Sequence, residues 1–232
     1  MANISPELSV IIPVLDEAGG INRAVAHLRQ VDPRLSIEII VVDGDPRGTT
    51  IPAIVDGAVR TTTAPRGRAV QMNCGAALAT GDILLFLHAD TVLPPQAFAL
   101  ILAAMNDSRI VAGAFDLGFD ADLRLFRITE GYVFLRTRLT RVPFGDQAIF
   151  IRKDYFDRIG GYRQIPIMED VELMKRIRKR GDRICIIPVK VRTSARRYMR
   201  EGIVYGTFRN WLLQILYALG VPPERLVKWY RS

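Results

Sequence analysis

The sequence predicts an α/β fold built on a doubly wound, mostly parallel sheet. In the first half of the chain, short runs rich in β-branched residues alternate with stretches of helical periodicity. The runs are apolar on both faces, as strands buried inside a parallel sheet are. Strand, helix and strand in this order are typical of crossover units, which build such sheets. With 232 residues, of which 49% are hydrophobic and 24% charged, the chain is long enough to bury a full-sized core.

Strands and helices alternate along the predicted domain. The first strands are predicted at residues 9–15, 37–43 and 83–89, and the helices beside them at residues 20–30, 67–79 and 95–105. Two further strands are predicted at residues 110–119 and 147–152, and two helices at residues 122–138 and 169–180, the last closed by Gly181. We assign residues 1–200 to this domain and residues 201–232 to an amphipathic C-terminal helical extension.

The extension carries one apolar stripe at helical spacing. Its members are Val204, Phe208, Trp211, Leu212, Ile215, Leu216 and Leu219. A stripe of this kind more often packs in a core or forms a homodimer contact than it anchors a protein on a membrane surface. The Lys/Arg cluster that precedes it supports the anchor as the alternative.

The positive charge is concentrated in one segment. The chain has 32 Lys and Arg against 24 Asp and Glu, a net charge of +8, and residues 175–200 contain 11 basic residues and one acid, Asp182. Nucleic acid, anionic lipid head groups and phosphorylated substrates all select for such a segment, and a solvated helix face also explains it. No array of base-stacking aromatic residues accompanies it, so we expect no nucleic-acid partner.

Three features of the sequence predict the cellular compartment of the protein. Its start lacks the pattern of a signal peptide, and no apolar run approaches the roughly 20 residues that cross a bilayer. Cys74 and Cys185 lie far apart, and the chain has only two histidines, which excludes a Cys/His zinc site and a disulfide framework. We expect a cytoplasmic protein, and the extension leaves open an association with the inner face of the membrane.

Acidic residues follow the predicted strands. Ligands of open parallel sheets bind beyond the carboxyl ends of the strands, so Glu17, Asp43 and Asp90 should meet at one edge. Asp90 is suited to hold a divalent ion against a diphosphate, and His88, on the same side of the strand, is a second candidate ligand. Asp43 is suited to bind a nucleobase or a ribose. A helix cap is the alternative for both acids, and a packed side chain is the alternative for His88.

Two predicted helix starts carry charges that suit a transfer reaction. Arg66 and Arg68 stand at the start of a helix, where guanidinium and backbone N–H groups together bind phosphate. Glu169 and Asp170 open another helix; acids are common caps there, and in a cleft one of them is a general base toward a hydroxyl. The motifs GxxxxGK[ST] and GxGxxG are absent, which excludes a P-loop ATPase and a nicotinamide dinucleotide site.

Eight phrases of the chain together resemble family-2 glycosyltransferases of the GT-A fold. In chain order they begin at Ser9, Val41, Arg66, Phe86, Gly145, Gly160, Met168 and Thr193, and they are SVIIPVLDE, VVDG, RGRAVQMN, FLHADT, GDQAIF, GGY, MEDVEL and TSARRY. More narrowly, they resemble the small bacterial group described as radical-SAM/selenodomain-associated transferases.

The resemblance implies an inverting transfer of one sugar from a nucleotide-diphosphate donor, a UDP-sugar in preference to a GDP-sugar, to a hydroxyl acceptor that is small or lipid-linked. It assigns nucleotide-sugar binding to Pro13, Glu17, Asp43, Arg68, Asp90 and Arg197. It assigns the general base to Asp170, and the acceptor side to Gly145, Asp146, Gln147 and Glu169. A divalent ion, Mg²⁺ or Mn²⁺, is implied at Asp90, with His88 in the place of the first acid of the family's DxD motif.

Two other classes of function remain open at this point. A sugar-phosphate nucleotidyltransferase shares the architecture, but such enzymes begin with a Gly-rich basic loop after the first strand, whereas residues 15–20 carry two acids here. A non-catalytic peripheral membrane binding protein would use only the basic segment and the stripe. Release of pyrophosphate indicates the first class, and vesicle binding without sugar transfer indicates the second.

Overall fold

The computed structural model describes residues 6–231, and of Arg197 and Arg231 it describes only the backbone. The strands are β1 (Leu8–Val14), β2 (Ile37–Asp43), β3 (Arg60–Thr63), β4 (Ile83–Phe86), β5 (Thr91–Val92), β6 (Ile110–Phe119), β7 (Phe150–Arg152) and β8 (Arg183–Thr193). The helices are α1 (Ile21–Val31), α2 (Arg68–Leu78), α3 (Ala97–Met105), α4 (Arg124–Thr140), α5 (Lys153–Arg158), α6 (Glu169–Lys179), α7 (Arg196–Glu201), α8 (Ile203–Ala218) and α9 (Pro223–Arg231).

Within these residues the strands form one sheet in the order β3-β2-β1-β4-β7-β6-β8-β5. Strands β3, β2, β1 and β4 pair in parallel, and so do β6 and β8. Strand β7 runs antiparallel between β4 and β6, and the short β5 runs antiparallel to β8. The predicted doubly wound, mostly parallel sheet is therefore confirmed.

Alternation along β1 divides the core into two layers. Val10 and Ile12 pack with the apolar faces of α1 and α3, whereas Ile11 packs with those of α2 and α6. All three side chains are fully buried, because successive residues of a strand point to opposite faces of a sheet that helices cover on both sides.

Several predicted boundaries need correction. The strand predicted over residues 83–89 ends at Phe86, because the Thr91 N–H donates to the His88 carbonyl and turns the chain before β5. The sequence pattern does not predict β8, since Pro188 interrupts its apolar run and residues 188–190 are exposed where the register against β6 shifts. The short strands β3 and β5 are also absent from the prediction.

The extension folds onto the domain. Leu213 of α8 and Leu226 of α9 are buried in a small apolar cluster with Ile167, and Leu216 of the predicted stripe packs against it. Most of the predicted stripe faces outward instead: Val204 is 69% exposed and Phe208 is 63% exposed. Core packing is therefore the wrong alternative for most of that stripe. In the part of the chain that the structure describes, every helix is too short or too polar to cross a bilayer.

Candidate active site

One cavity lies beyond the carboxyl ends of the parallel strands. It has a volume of about 530 Å³ and is lined by the loops after β1 and β4, the starts of α2 and α6, the end of β8, and one side each of α8 and α9. Predicted site residues at its wall are Pro13, Glu17, Arg68, His88, Asp90, Asp146, Glu169 and Asp170. The topology thus gathers residues from distant parts of the chain at the sheet edge where a ligand is expected.

Two carboxylates, Glu17 and Asp90, line the cavity at the strand ends. Burial raises the pKa of Glu17, and the negative charge of Asp90 raises it further. A cation between two such carboxylates relieves their repulsion. Among the described residues no three His, Cys, Asp or Glu side chains form a cluster that could hold a metal ion. Asp90 and His88 alone suit a Mg²⁺ or Mn²⁺ ion that a diphosphate brings with it, because such ions take few protein ligands.

Asp170 is held by two backbone groups. Its Oδ2 accepts a hydrogen bond from the Gly145 N–H at 2.6 Å, and its Oδ1 accepts one from the Val171 N–H at 2.7 Å. A Cβ atom built on Gly145 would lie 3.3 Å from both Asp170 Oδ2 and His88 Nε2. Gly145 therefore lies between the candidate base and the candidate metal ligand, and its lack of a side chain permits the close approach.

Glu169 is the most perturbed acid of the cavity. Its side chain is buried, which raises its pKa to about 7, and the charge of Asp170 adds to the rise while Arg68 opposes it. Desolvation lowers the pKa of Arg68, but Tyr230, Glu169 and Asp170 raise it by more. Burial also raises the pKa of Tyr162, beside the same two acids. The charges of Glu169 and Asp170 at the start of α6 therefore interact with the charge of Arg68 at the start of α2.

Gln147 lies behind the wall of the cavity and organises the loop before it. Its side chain is fully buried. Its Oε1 accepts hydrogen bonds from the Phe144 N–H at 3.0 Å and from Arg136 at 3.1 Å, and its Nε2 donates to the Phe115 carbonyl at 2.9 Å. Arg136 also stacks on the Phe144 ring, at 3.5 Å from its centroid. These contacts hold the loop that carries Gly145 and Asp146.

Asp43, like Gln147, lies behind the residues that line the cavity. It is fully buried, and its two oxygens accept hydrogen bonds from the Asp45 N–H at 3.0 Å and from the Thr50 N–H at 2.7 Å. The Thr50 hydroxyl in turn accepts a hydrogen bond from the Glu17 N–H at 3.2 Å. Asp43 shapes the loop behind Glu17 and does not line the cavity; its direct contact with a nucleoside stays a prediction. The predicted side-chain contact of Arg197 lies outside the described residues.

The extension supplies a wall of the cavity that its sequence pattern does not predict. Asn210 and Gln214 of α8 and Tyr230 of α9 line the cavity, and Gln214 accepts a hydrogen bond from Arg136 at 3.3 Å. The sequence does contain a signal for this wall, because two polar residues, Asn210 and Gln214, stand one helical turn apart on the side of α8 opposite the apolar stripe. Their position against the cavity depends on how α8 packs.

Left-handed backbone conformations flank three of the loops at the cavity. Asp16 has a φ of 57°, Ala148 a φ of 51° and Met168 a φ of 68°, and none of them is a glycine. Non-glycine residues in this region cost on the order of 1–3 kcal/mol each, and they concentrate at functional sites. Asp16 precedes Glu17, and Met168 precedes Glu169. Ala148 follows the loop that carries Gly145 and Asp146.

The comparisons with known proteins agree with this geometry. A model of the family described as glycosyl transferase family 2 matches residues 9–167.

The chain belongs to glycosyl transferase family 2.

Curated relatives of this family 2 member are similar over most of its length. Uncharacterized glycosyltransferase Rv1514c of Mycobacterium tuberculosis is 32% identical over 166 residues, which are 68% of this chain and 63% of that protein. Probable glycosyltransferase YdaM of Bacillus subtilis is 25% identical over 211 residues, which are 80% of this chain and 50% of that protein. The chain therefore spans half to two thirds of the length of these relatives.

A solved structure supports the fold of this family 2 member. The mannosyltransferase PcManGT from Pyrobaculum calidifontis, in complex with GDP-Man and Mn²⁺, matches with a TM-score of 0.67 at 22% identity, covering 82% of this chain and 57% of that chain. The predicted GT-A fold is thereby confirmed. The family match ends just before Glu169 and Asp170, so the roles of these two acids stay predictions.

Proposed function

We propose that this chain transfers one sugar from a nucleotide-diphosphate sugar to a hydroxyl acceptor, with inversion at the anomeric carbon. One observation carries the proposal: Arg68, Asp90 and Asp170, which come from three distant segments, line a single cavity beyond the strand ends. Membership of glycosyl transferase family 2 supports it. The narrower radical-SAM/selenodomain-associated group remains a prediction.

The donor binds at the side of the cavity formed by β1, β4 and α2. Arg66 and Arg68 stand at the start of α2, where their guanidinium groups and the first N–H groups of the helix receive the diphosphate. Asp90 and His88 are the residues that would hold a divalent ion, which would neutralise charge on the departing diphosphate when bound. The Mn²⁺ and GDP-Man of the archaeal mannosyltransferase favour such an ion, and they place a GDP-sugar beside the UDP-sugar as a donor to test.

Asp170 is the general base of the proposed reaction. The oxygen of the acceptor hydroxyl attacks the anomeric carbon from the face opposite the diphosphate, and the bond from that carbon to the diphosphate oxygen breaks. The hydroxyl proton passes to the Asp170 carboxylate. Gly145 and Val171 each donate a backbone hydrogen bond to this carboxylate; these two bonds orient it, and each oxygen keeps a free lone pair toward the acceptor.

The first experiment measures donor binding and transfer separately. Calorimetric titration with UDP, GDP and their sugars, with and without Mn²⁺, should show nucleotide binding that the metal strengthens. Asp170→Asn should keep the donor affinity and lose transfer roughly 10²- to 10⁴-fold. Asp154→Asn is the matched control, because Asp154 is an exposed acid paired only weakly with Arg158, and it should keep both.

Three outcomes would overturn the proposal or its parts. Absence of binding by every nucleotide tested would remove the donor site. Unchanged transfer in Asp170→Asn would remove Asp170 as the base. Release of pyrophosphate from a nucleoside triphosphate and a sugar phosphate would make the chain a nucleotidyltransferase.

A further inference from the structure

Two helices present apolar side chains to solvent on a scale unusual for a surface. On α4 these residues are Leu125 (44% exposed), Ile128 (63%), Phe134 (49%), Leu135 (57%) and Leu139 (75%). On α8 they are Val204 (69%), Tyr205 (54%), Phe208 (63%), Leu212 (39%), Ile215 (56%) and Leu219 (76%). Each helix also buries a separate inner stripe, so neither needs the outer residues for its own packing. Large exposed apolar patches on soluble domains mark interaction sites.

The two outer stripes form one continuous surface. Tyr132 of α4 and Trp211 of α8 contact each other, with ring centroids 4.6 Å apart. Residues three and four positions apart are neighbours on a helix, so Ile128 adjoins Tyr132 on one side of this contact. Phe208 and Ile215 adjoin Trp211 on the other side. We call this surface the α4–α8 face.

The charge around the α4–α8 face is positive. Residues 124–141 contain five arginines and one acid, Glu130, and residues 203–219 contain no acid. Arg127 and Lys190 are paired with the buried Glu130, and Arg138 is paired with the buried Asp116. The positive charge of the face therefore rests on the exposed Arg124 and Arg141. At the end of α4, Arg178 of α6 donates to the Thr140 carbonyl, which brings the start of the basic segment, residues 175–200, to the same edge.

We propose that the α4–α8 face docks on an anionic membrane surface, with both helices lying in the plane of the interface. A helix face binds there when apolar side chains enter the acyl boundary and Lys or Arg meets anionic head groups. The face supplies both, with Arg124 and Arg141 exposed at the two ends of α4. A second copy of the chain fits less well, because a two-fold contact through this face would set its arginines against one another.

Docking would bring the cavity close to the bilayer. The side of α8 opposite the face lines the cavity through Asn210, Leu213 and Gln214. Only the width of one helix, about 10 Å, then separates the cavity from the membrane surface. A hydroxyl acceptor held in the membrane would be within reach of Asp170 from this position, whereas a fully soluble acceptor would gain nothing from it.

Vesicle co-sedimentation of the full chain tests the proposal. The chain should pellet with vesicles of phosphatidylcholine containing about one third phosphatidylglycerol, pellet much less with phosphatidylcholine alone, and lose binding as salt rises. The double variant Ile128→Asp and Phe208→Asp should bind at least roughly tenfold more weakly, since each side chain loses its apolar insertion. Val55→Asp is the matched control: Val55 is 84% exposed, beside α1 and away from the face, and it should bind like the parent chain.

A second variant covers the case in which the double variant fails to fold. The double variant Arg124→Gln and Arg141→Gln leaves the apolar residues in place. It should weaken binding to the anionic vesicles and leave binding to phosphatidylcholine vesicles unchanged. Binding of all variants equal to that of the parent chain, or no binding by the parent chain to anionic vesicles, would overturn the proposal. So would light scattering that shows a stable dimer which the Ile128→Asp and Phe208→Asp variant dissociates. These measurements use no nucleotide, so their failure is distinct from a failure of the proposed transfer.

Discussion

The unusual protonation of Glu169 leads to a quantitative prediction for Glu169→Gln. The Glu169 carboxyl is buried at the start of α6, and this burial, with the adjacent charge of Asp170, raises its pKa from 4.5 to about 7. Between these two pH values the folded chain holds a proton that the unfolded chain has released. The folded state therefore binds more protons, and the free energy of unfolding falls as the pH rises through this range.

The magnitude follows from the same two values. A pKa raised from 4.5 to about 7 corresponds to on the order of 3 kcal/mol, at about 1.4 kcal/mol for each pH unit. This destabilisation is absent below about pH 4.5 and fully present above about pH 7. The neutral amide of Glu169→Gln does not ionise, so the variant should gain stability relative to the parent chain as the pH rises.

Urea denaturation followed by circular dichroism, at about pH 5, 6, 7 and 8 and constant ionic strength, measures the effect. The quantity to compare is the free energy of unfolding of Glu169→Gln minus that of the parent chain, because other groups titrate equally in both. It should rise steeply between pH 5 and 7 and level off above. The control Asp154→Asn, at an exposed acid, should show a flat difference. A flat difference for Glu169→Gln as well would refute the reasoning.

Three further predictions concern residues around the cavity. Asp43→Asn should lower the free energy of unfolding by about 1–3 kcal/mol, because the new NH₂ group faces the N–H of Asp45 or Thr50, and an unchanged urea midpoint would contradict the structural role. Gly145→Ala should lower kcat by roughly 10²-fold with little change in the Kd of the donor, because the new Cβ lies 3.3 Å from Asp170 Oδ2; equal kcat in single-turnover assays would argue against it. Asp90→Asn should abolish the gain in donor affinity on adding Mn²⁺, and calorimetry showing the same gain in variant and parent would exclude Asp90 as a ligand.

Much of the sheet could be predicted because burial leaves a clear pattern in the sequence. Strands β1, β2 and β6 are mostly apolar runs, and the predicted bounds of β2 and β6 agree with those in the structure. Strand β8 could not be predicted in the same way, since its middle residues are exposed and its register against β6 is irregular. Its formation depends on a partner strand far away in the chain.

Some residues of the candidate site could be placed from the sequence, and others could not. Glu17 and Asp90 follow apolar runs whose ends must meet in a parallel sheet, so their place in the cavity could be predicted from order alone. The burial of Gln147 could not, because its hydrogen bonds go to Phe115 and Arg136, which lie on other elements. Asp43 is the last residue of β2, yet the loop after it folds over its carboxylate, which accepts hydrogen bonds from the Asp45 and Thr50 N–H groups.

The amino-acid order by itself determined the class of fold, the edge of the sheet where the cavity lies, and most of the acids found there, because these follow from local periodicity and strand direction. Tertiary structure decided which side of α8 closes the cavity, how near Gly145 comes to Asp170, and that the apolar stripes of α4 and α8 face outward. Those outcomes depend on how distant elements pack, and both sides of α8 carry residues that could have been buried.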